Sequence, residues 1–152
     1  MRRTNPWLIA AGWMSVAASL LHLACIIGGP DWFIFLGAPR RFAYQAAQGA
    51  ILPIAITCAL AAMLAVWAAF AFSAAGIIRR LPFTRLALVA ISAVLVGRGV
   101  SYFAFPFWTI WRPDLSQTFM IWSSLVVLVM GACFAIGTWK AWPQLSAARN
   151  TL

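Results

Sequence analysis

Acidic residues are almost missing from this 152-residue chain, which contains two aspartates, Asp31 and Asp114, and no glutamate. Both aspartates lie between the long apolar segments rather than inside them. Transporters that exchange protons or cations use carboxylates placed within the membrane. The sequence therefore disfavours a carboxylate-coupled antiporter.

Residues that bind metals are also scarce. His22 is the only histidine, so a haem iron cannot be held by histidines from two sides. The three cysteines lie within apolar runs and have no C-x-x-C spacing, which argues against a redox pair, a thiolate metal site or a disulfide framework. These cysteines are Cys25, Cys58 and Cys133. We expect no metal and no cofactor.

Apolar residues make up 64% of the chain and charged residues only 9%, and the mean hydropathy is +0.93. Soluble domains are about 45–50% apolar and about 25% charged. Four apolar runs are each long enough to cross a bilayer, for which about 20 residues suffice. The sequence therefore predicts an all-α membrane protein, a four-transmembrane-helix bundle forming one domain over residues 1–152, with spans at residues 7–29, 51–78, 84–104 and 119–142. Gly28, Gly29 and Pro30 are interpreted as the stop signal of the first span, and Pro143 as that of the fourth.

The first connection, residues 31–49, mixes aromatic residues with Arg40 and Arg41. Aromatic residues and arginines beside an apolar span are typical of the boundary between membrane and water. Pro39 suits the first turn of a helix. We therefore expect a short interfacial helix that begins near Pro39 and can act as a lid.

The formal net charge is +9, but the basic residues are scattered in pairs between apolar runs rather than interleaved with aromatics on one face. This distribution disfavours nucleic acid as a partner and favours a role in topology. With the N-terminus inside, seven Lys and Arg residues lie on the inner side and three on the outer side. The sequence therefore predicts a bacterial inner-membrane protein with both termini in the cytoplasm and both aspartates outside. The inner residues are Arg2, Arg3, Arg79, Arg80, Arg85, Lys140 and Arg149, and the outer ones are Arg40, Arg41 and Arg112.

Small and polar residues recur at helical spacing in the first and fourth spans. Such lines face a neighbouring helix rather than lipid, because small residues allow close approach of the backbones. Tight packing within the bundle explains them without any function. The two lines are Gly12, Ser15, Ser19 and His22, and Ser124, Gly131, Ala135 and Thr138.

Arg98 is the exception, because it is a charged residue well inside the third span. A central arginine costs roughly 2.5–3.5 kcal/mol on insertion scales. At a rise of about 1.5 Å per residue, Arg98 and His22 reach similar heights in the outer half of the membrane. Tyr102 lies one turn above Arg98, and Ser124 lies about one turn into the fourth span from its outer end. We therefore predict an outward-facing polar pocket with Asp31 or Asp114 above it, built from His22, Arg98, Tyr102 and Ser124.

Several interpretations of these residues remain open. Arg98 can line a pocket for a lipid or another anionic amphiphile, or it can extend to the outer interface and pair with Asp31 or Asp114. The protein can instead be an accessory or structural subunit that binds a membrane-protein partner or a second copy of itself. A third alternative is an enzyme of the membrane interface that uses His22 as a base, although no nucleophile or carboxylate partner is evident.

A weak internal correspondence appears at an offset of 76 residues, and it places His22 on Arg98. It indicates two helical hairpins in tandem, while coincidence in an alanine-rich chain is the alternative. The aligned residues are Pro6, Pro30 and Trp32 with Pro82, Pro106 and Trp108.

Residues 22–32, with the sequence HLACIIGGPDW, the later Gly37-Ala38 pair and the Arg-Arg-Leu-Pro turn at residues 79–82 carry a family resemblance. In these segments the chain resembles a group of small, functionally uncharacterised inner-membrane proteins of proteobacteria. The resemblance implies a four-helix membrane protein and carries no activity with it.

Overall fold

The computed structural model describes residues 4–104 and 117–147, which form six helices and no strand. Four of the helices are long and apolar enough to cross a membrane. This confirms the predicted all-α fold with four candidate spans. The helices are α1 (Pro6–Gly28), α2 (Pro30–Phe35), α3 (Arg40–Ala47), α4 (Ile51–Ala75), α5 (Thr84–Ala104) and α6 (Gln117–Ala147).

Local sequence signals set the ends of α1 and α4. The Asn5 side chain caps α1 by accepting hydrogen bonds from the backbone N–H groups of Trp7 and Leu8, and Pro6 occupies the first helical turn. The sequence predicted that the second span would continue to residue 78. Instead α4 ends at Ala75, because Gly76 adopts a left-handed conformation with φ 82°.

The last helix is longer than predicted. The sequence predicted that Pro143 would end the fourth span, but α6 continues through it to Ala147. Proline removes one backbone hydrogen bond, and near a helix end that loss affects only the final turn. Arg80 stabilises this turn, since its Nη2 donates to the carbonyl oxygen of Gln144 at 2.6 Å.

The first connection contains two short helices where one was predicted. Helix α3 begins at Arg40, directly after Pro39, as expected from the sequence. Pro30, which was interpreted as a stop signal, instead occupies the first turn of α2. A proline needs no hydrogen bond at that position, so Pro30 can begin α2 directly after Gly29, the cap residue of α1. The interfacial location of α3 stays a prediction.

The long helices pack as two antiparallel hairpins. Helix α1 packs most extensively against α4, and α5 packs most extensively against α6. The hairpins join mainly through α1 and α6, so α1 and α5 occupy opposite corners with little contact between them in the described part of the chain. This pairing is the one that tandem hairpins would have. The duplication itself stays a prediction, and Pro106 and Trp108 lie outside the described residues.

The two ends of the bundle differ. We call the end at which α1 and α5 finish, with α2 and α3 beside it, the capped end. The opposite end contains the turn at residues 76–83 between α4 and α5, and we call it the basic end. The main apolar cluster lies in the half nearer the basic end, and its members include Leu8, Leu64, Ala71, Leu88, Ile91, Leu95, Met130 and Phe134.

Helices α5 and α6 approach most closely at two glycines. A Cβ atom on Gly99 would lie 2.9 Å from the Cα of Leu128, and one on Gly131 would lie 2.9 Å from the backbone nitrogen of Val96. These distances leave no room for any side chain. In a bilayer, such contacts between backbones are a main source of helix association.

The two glycines that flank Arg98 provide a matched test of this contact. Gly99→Ala should destabilise the bundle by about 1–3 kcal/mol, because the added methyl group collides with the backbone of α6. Gly97→Ala should be neutral or stabilising by up to about 1 kcal/mol, since nothing lies within 4 Å of a Cβ there and alanine favours helix. Unfolding of both variants in a mild detergent would measure the difference, and equal stability would contradict the close contact.

Candidate functional site

Arg98 lies in the capped half of the bundle, six residues before the end of α5 at Ala104. Its guanidinium is half-buried, and Nη1 donates a hydrogen bond to the Oγ of Ser124 at 3.4 Å. Ser124 belongs to α6 and is fully buried. The structure thus brings together two of the residues that the sequence assigned to a polar pocket. Arg98 also takes part in at least one further interaction.

The close approach of α5 and α6 makes the Arg98–Ser124 contact possible. Gly99 is the next residue after Arg98, and it packs against Leu128, one turn from Ser124 on α6. A larger residue at position 99 would push the helices apart and lengthen the hydrogen bond. Gly99 is therefore a positioning residue that sequence reasoning missed. The only available signal was the Gly-Arg-Gly sequence at residues 97–99, which does not distinguish the two glycines.

Other polar groups near Arg98 mostly bond within their own helices. Ser101 donates to the carbonyl oxygen of Arg98 at 2.8 Å, and Ser123 donates to that of Met120 at 3.1 Å. Tyr102, one turn beyond Arg98, is half-buried and packs edge-on against Phe103 with ring centroids 5.3 Å apart. Its place on α5 agrees with the sequence prediction, while its part in a pocket stays a prediction.

His22 lies six residues before the end of α1, so it reaches about the same depth as Arg98. It is half-buried, and its Nδ1 is 2.7 Å from the carbonyl oxygen of Ala18. A carbonyl oxygen can only accept, so Nδ1 is the donor in this hydrogen bond. His22 and Arg98 stand on the diagonal helices α1 and α5, so any shared ligand must bridge the bundle past α4 or α6.

Only one of the two aspartates, Asp31, lies within the described residues. Asp31 is exposed in the first turn of α2, where a negative charge complements the helix dipole. Within the described residues it forms no ion pair with Arg98. Asp114 lies outside the described residues, so its predicted role above the pocket stays a prediction.

Helices α2 and α3 cover part of the capped end. Phe33 of α2 and Ala43 of α3 are buried, and α3 packs against α4. The turn between α2 and α3 contains Gly37, with φ 78°, and a Cβ there would collide with the ring of Phe119 on α6. This turn therefore crosses to the helix that carries Ser124. The contact with Phe119 shows that the turn packs against α6, while the lid predicted in this connection stays a prediction.

The small-residue lines of the first and last spans are internal. Gly12 packs against the ring of Phe72, and Ser19 donates to the carbonyl oxygen of Ala61 at 2.8 Å, so both contact α4. On α6, Ser124, Gly131 and Thr138 are buried, and Thr138 Oγ1 has no hydrogen-bond partner. These lines hold the bundle together, as predicted, and they are not available to an outside partner.

The chemistry available at the capped half is binding by a cation and hydroxyl groups. A planar guanidinium beside a serine suits the oxygens of a phosphate or carboxylate. Among residues 4–104 and 117–147, no three His, Cys, Asp or Glu side chains gather in an arrangement that could hold a metal ion. The hydrogen bond of His22 goes to its own helix rather than to a nucleophile or carboxylate.

Paired serines allow the Arg98–Ser124 bond to be measured. Ser124→Ala should destabilise the protein by about 1 kcal/mol, because it removes an acceptor from a charged donor at membrane depth. Ser123→Ala should cost less, because the bond of Ser123 stays within its helix. A double-mutant cycle with Arg98→Met in mild detergent isolates the pair. A coupling energy near zero would show that the contact contributes nothing.

Comparison of the chain with protein-family models, with curated proteins and with solved structures finds no match.

Proposed function

We propose that this chain is a multi-pass protein of the bacterial inner membrane that binds an anionic or amphiphilic molecule, such as a lipid, at its capped end. In this proposal both termini are cytoplasmic and the capped end faces the periplasm. The orientation is supported by the excess of Lys and Arg on the other side. The ligand site contains Arg98 and Ser124, with Tyr102, His22, Asp31 and Asp114 as further candidates.

The observation that carries the proposal is the hydrogen bond from half-buried Arg98 to fully buried Ser124. A charged residue at this depth is expensive to insert, and such residues commonly mark ligand or ion sites. The guanidinium has five N–H donors in a planar fork, which matches the oxygens of a phosphate or carboxylate. Ser124 holds one edge of this fork in place.

The surroundings of Arg98 suit an amphiphile. Arg98 is about 9 Å from the capped end of α5 at a rise of about 1.5 Å per residue, so a headgroup entering from that end has a short path. Val94, one turn before Arg98 on the same face of α5, is an exposed apolar side chain. It can contact an acyl chain while the headgroup contacts Arg98.

Native mass spectrometry after gentle extraction tests the proposal. Wild-type protein should retain lipid, and added dodecyl phosphate should bind in preference to uncharged dodecanol. Arg98→Ala should weaken retention about tenfold or more, because it removes the charged donor. Arg98→Lys should fall between the two, since it keeps the charge and loses the planar fork.

Arg41→Ala is the matched control, because it removes one exposed charge from α3 near the same end of the bundle. It should bind dodecyl phosphate as the wild type does. Equal retention by wild type and Arg98→Ala would reject the site.

A second candidate function is that of a subunit in a larger membrane complex. It is favoured by an outward-facing line of small residues on α5. Ala90, Ala93 and Gly97 are exposed, and nothing lies within 4 Å of a Cβ placed on Gly97. Small residues at this spacing allow another helix to approach closely.

Gly97→Leu tests the second candidate. The substitution should reduce recovery of a stoichiometric partner, or of a homodimer, at least several-fold in affinity purification from mild detergent. Thermal unfolding should stay near that of the wild type, because the site is open. A monodisperse, partner-free wild-type protein would exclude this function.

A further inference from the structure

The basic end of the bundle carries exposed cations, and Arg79 and Arg80 are adjacent in its turn. Arg85 and Lys140 are exposed at the same end. Of the two acidic residues of the chain, Asp31 lies in α2 at the capped end. Among the described residues, the basic end is therefore the more positively charged of the two.

These cations are arranged around the end of α6. The Arg85 guanidinium lies over the ring of Trp142 at 3.7 Å, and Lys140 Nζ lies 5.3 Å from the centroid of Trp7. Arg80 reaches the carbonyl oxygen of Gln144. Contacts of this kind fix long side chains and reduce the entropy that they lose when they bind an anion.

The turn between α4 and α5 is held rigidly, and it exposes apolar side chains next to its arginines. Ser73 Oγ donates to the carbonyl oxygen of Arg79 and accepts from the N–H of Leu81. Phe83 follows with φ 56°, a left-handed conformation that a bulky residue rarely adopts, and its side chain is 81% exposed. Ile77 and Ile78 are also exposed. In a turn that contacted only water, exposing three large apolar side chains would be unfavourable.

We propose that the basic end is a binding site for anionic phospholipids of the adjacent leaflet. The lipid phosphate lies at Arg79 and Arg80, while the acyl chains contact Phe83 and Ile78. The combination selects a phospholipid over free phosphate, because the apolar side chains add nothing to the binding of an inorganic ion. This site is at the opposite end from Arg98 and does not depend on the ligand proposed there.

The charge pair in the turn is the direct target for a test. Full-length wild-type protein is extracted in uncharged detergent, and retained lipid is counted by native mass spectrometry with phosphatidylglycerol or phosphatidylcholine of identical acyl chains. Wild type should prefer phosphatidylglycerol several-fold, and the preference should fall as salt rises. In an Arg98→Ala background, which removes the site proposed at the other end, Arg79→Gln/Arg80→Gln should reduce phosphatidylglycerol retention about tenfold or more, because each basic residue near an anionic surface contributes roughly fivefold.

Arg40→Gln/Arg41→Gln is the matched control, since it removes two exposed adjacent arginines from the other end of the bundle. It should retain most of the preference. Equal losses in both double variants would show a simple net-charge effect and overturn the site. A competition arm with millimolar inorganic phosphate separates the sources, because displacement by phosphate alone would indicate a free-phosphate site and overturn the lipid proposal.

Two further measurements keep the test decisive if the glutamine variant unfolds. Arg79→Lys/Arg80→Lys keeps the charge and should keep the preference for phosphatidylglycerol. Phe83→Ser should lower retention of both lipids without changing the selectivity between their headgroups. A wild-type protein that retains phosphatidylcholine and phosphatidylglycerol equally overturns the proposal without any variant.

Discussion

The contact between α5 and α6 at Gly99 and Gly131 is the constraint on which the arrangement of the capped half depends. Each glycine brings its helix to within van der Waals distance of the opposing backbone. Lipid tails are as apolar as the side chains, so helices associate in a bilayer through such packing and through polar bonds rather than by escape from water. The same approach places the Arg98 guanidinium within hydrogen-bond distance of Ser124. The same contact between α5 and α6 therefore provides both the helix packing and the hydrogen bond between Arg98 and Ser124.

The two halves of the bundle differ in composition. The apolar cluster around Leu8, Leu88 and Phe134 fills the half near the basic end, where close packing fixes the two hairpins against each other. The capped half contains Arg98, Ser124 and His22, and it is partly covered by α2 and α3.

The basic end and the capped end of the bundle also differ in charge, and this difference affects helix stability as well as the predicted orientation. Arg80 and Arg85 contact the final turns of α6, which continues past Pro143. Cations near the carboxyl end of a helix are favoured by its dipole. The turn at the basic end therefore stabilises the last helix, and it also exposes arginines beside apolar side chains.

The sequence by itself determined the helical class, the four apolar candidate spans and the matching positions of His22 and Arg98 along their helices, because hydropathy and helical rise depend only on residue type and spacing. It also placed the start of α3 correctly from Pro39. The sequence did not determine three features of the helix ends, because they depended on tertiary contacts or on one of several allowed backbone conformations. These features are the end of α4, the continuation of α6 through Pro143 and the start of α2 at Pro30. Only the tertiary structure decided that Gly99 contacts α6 while Gly97 faces outwards, since the two glycines flank one arginine and differ only in the direction in which the packed helix turns them. Helix packing likewise brought Ser124 to Arg98 and left His22 on the diagonal helix, because equal depth in the membrane does not specify which helices are neighbours.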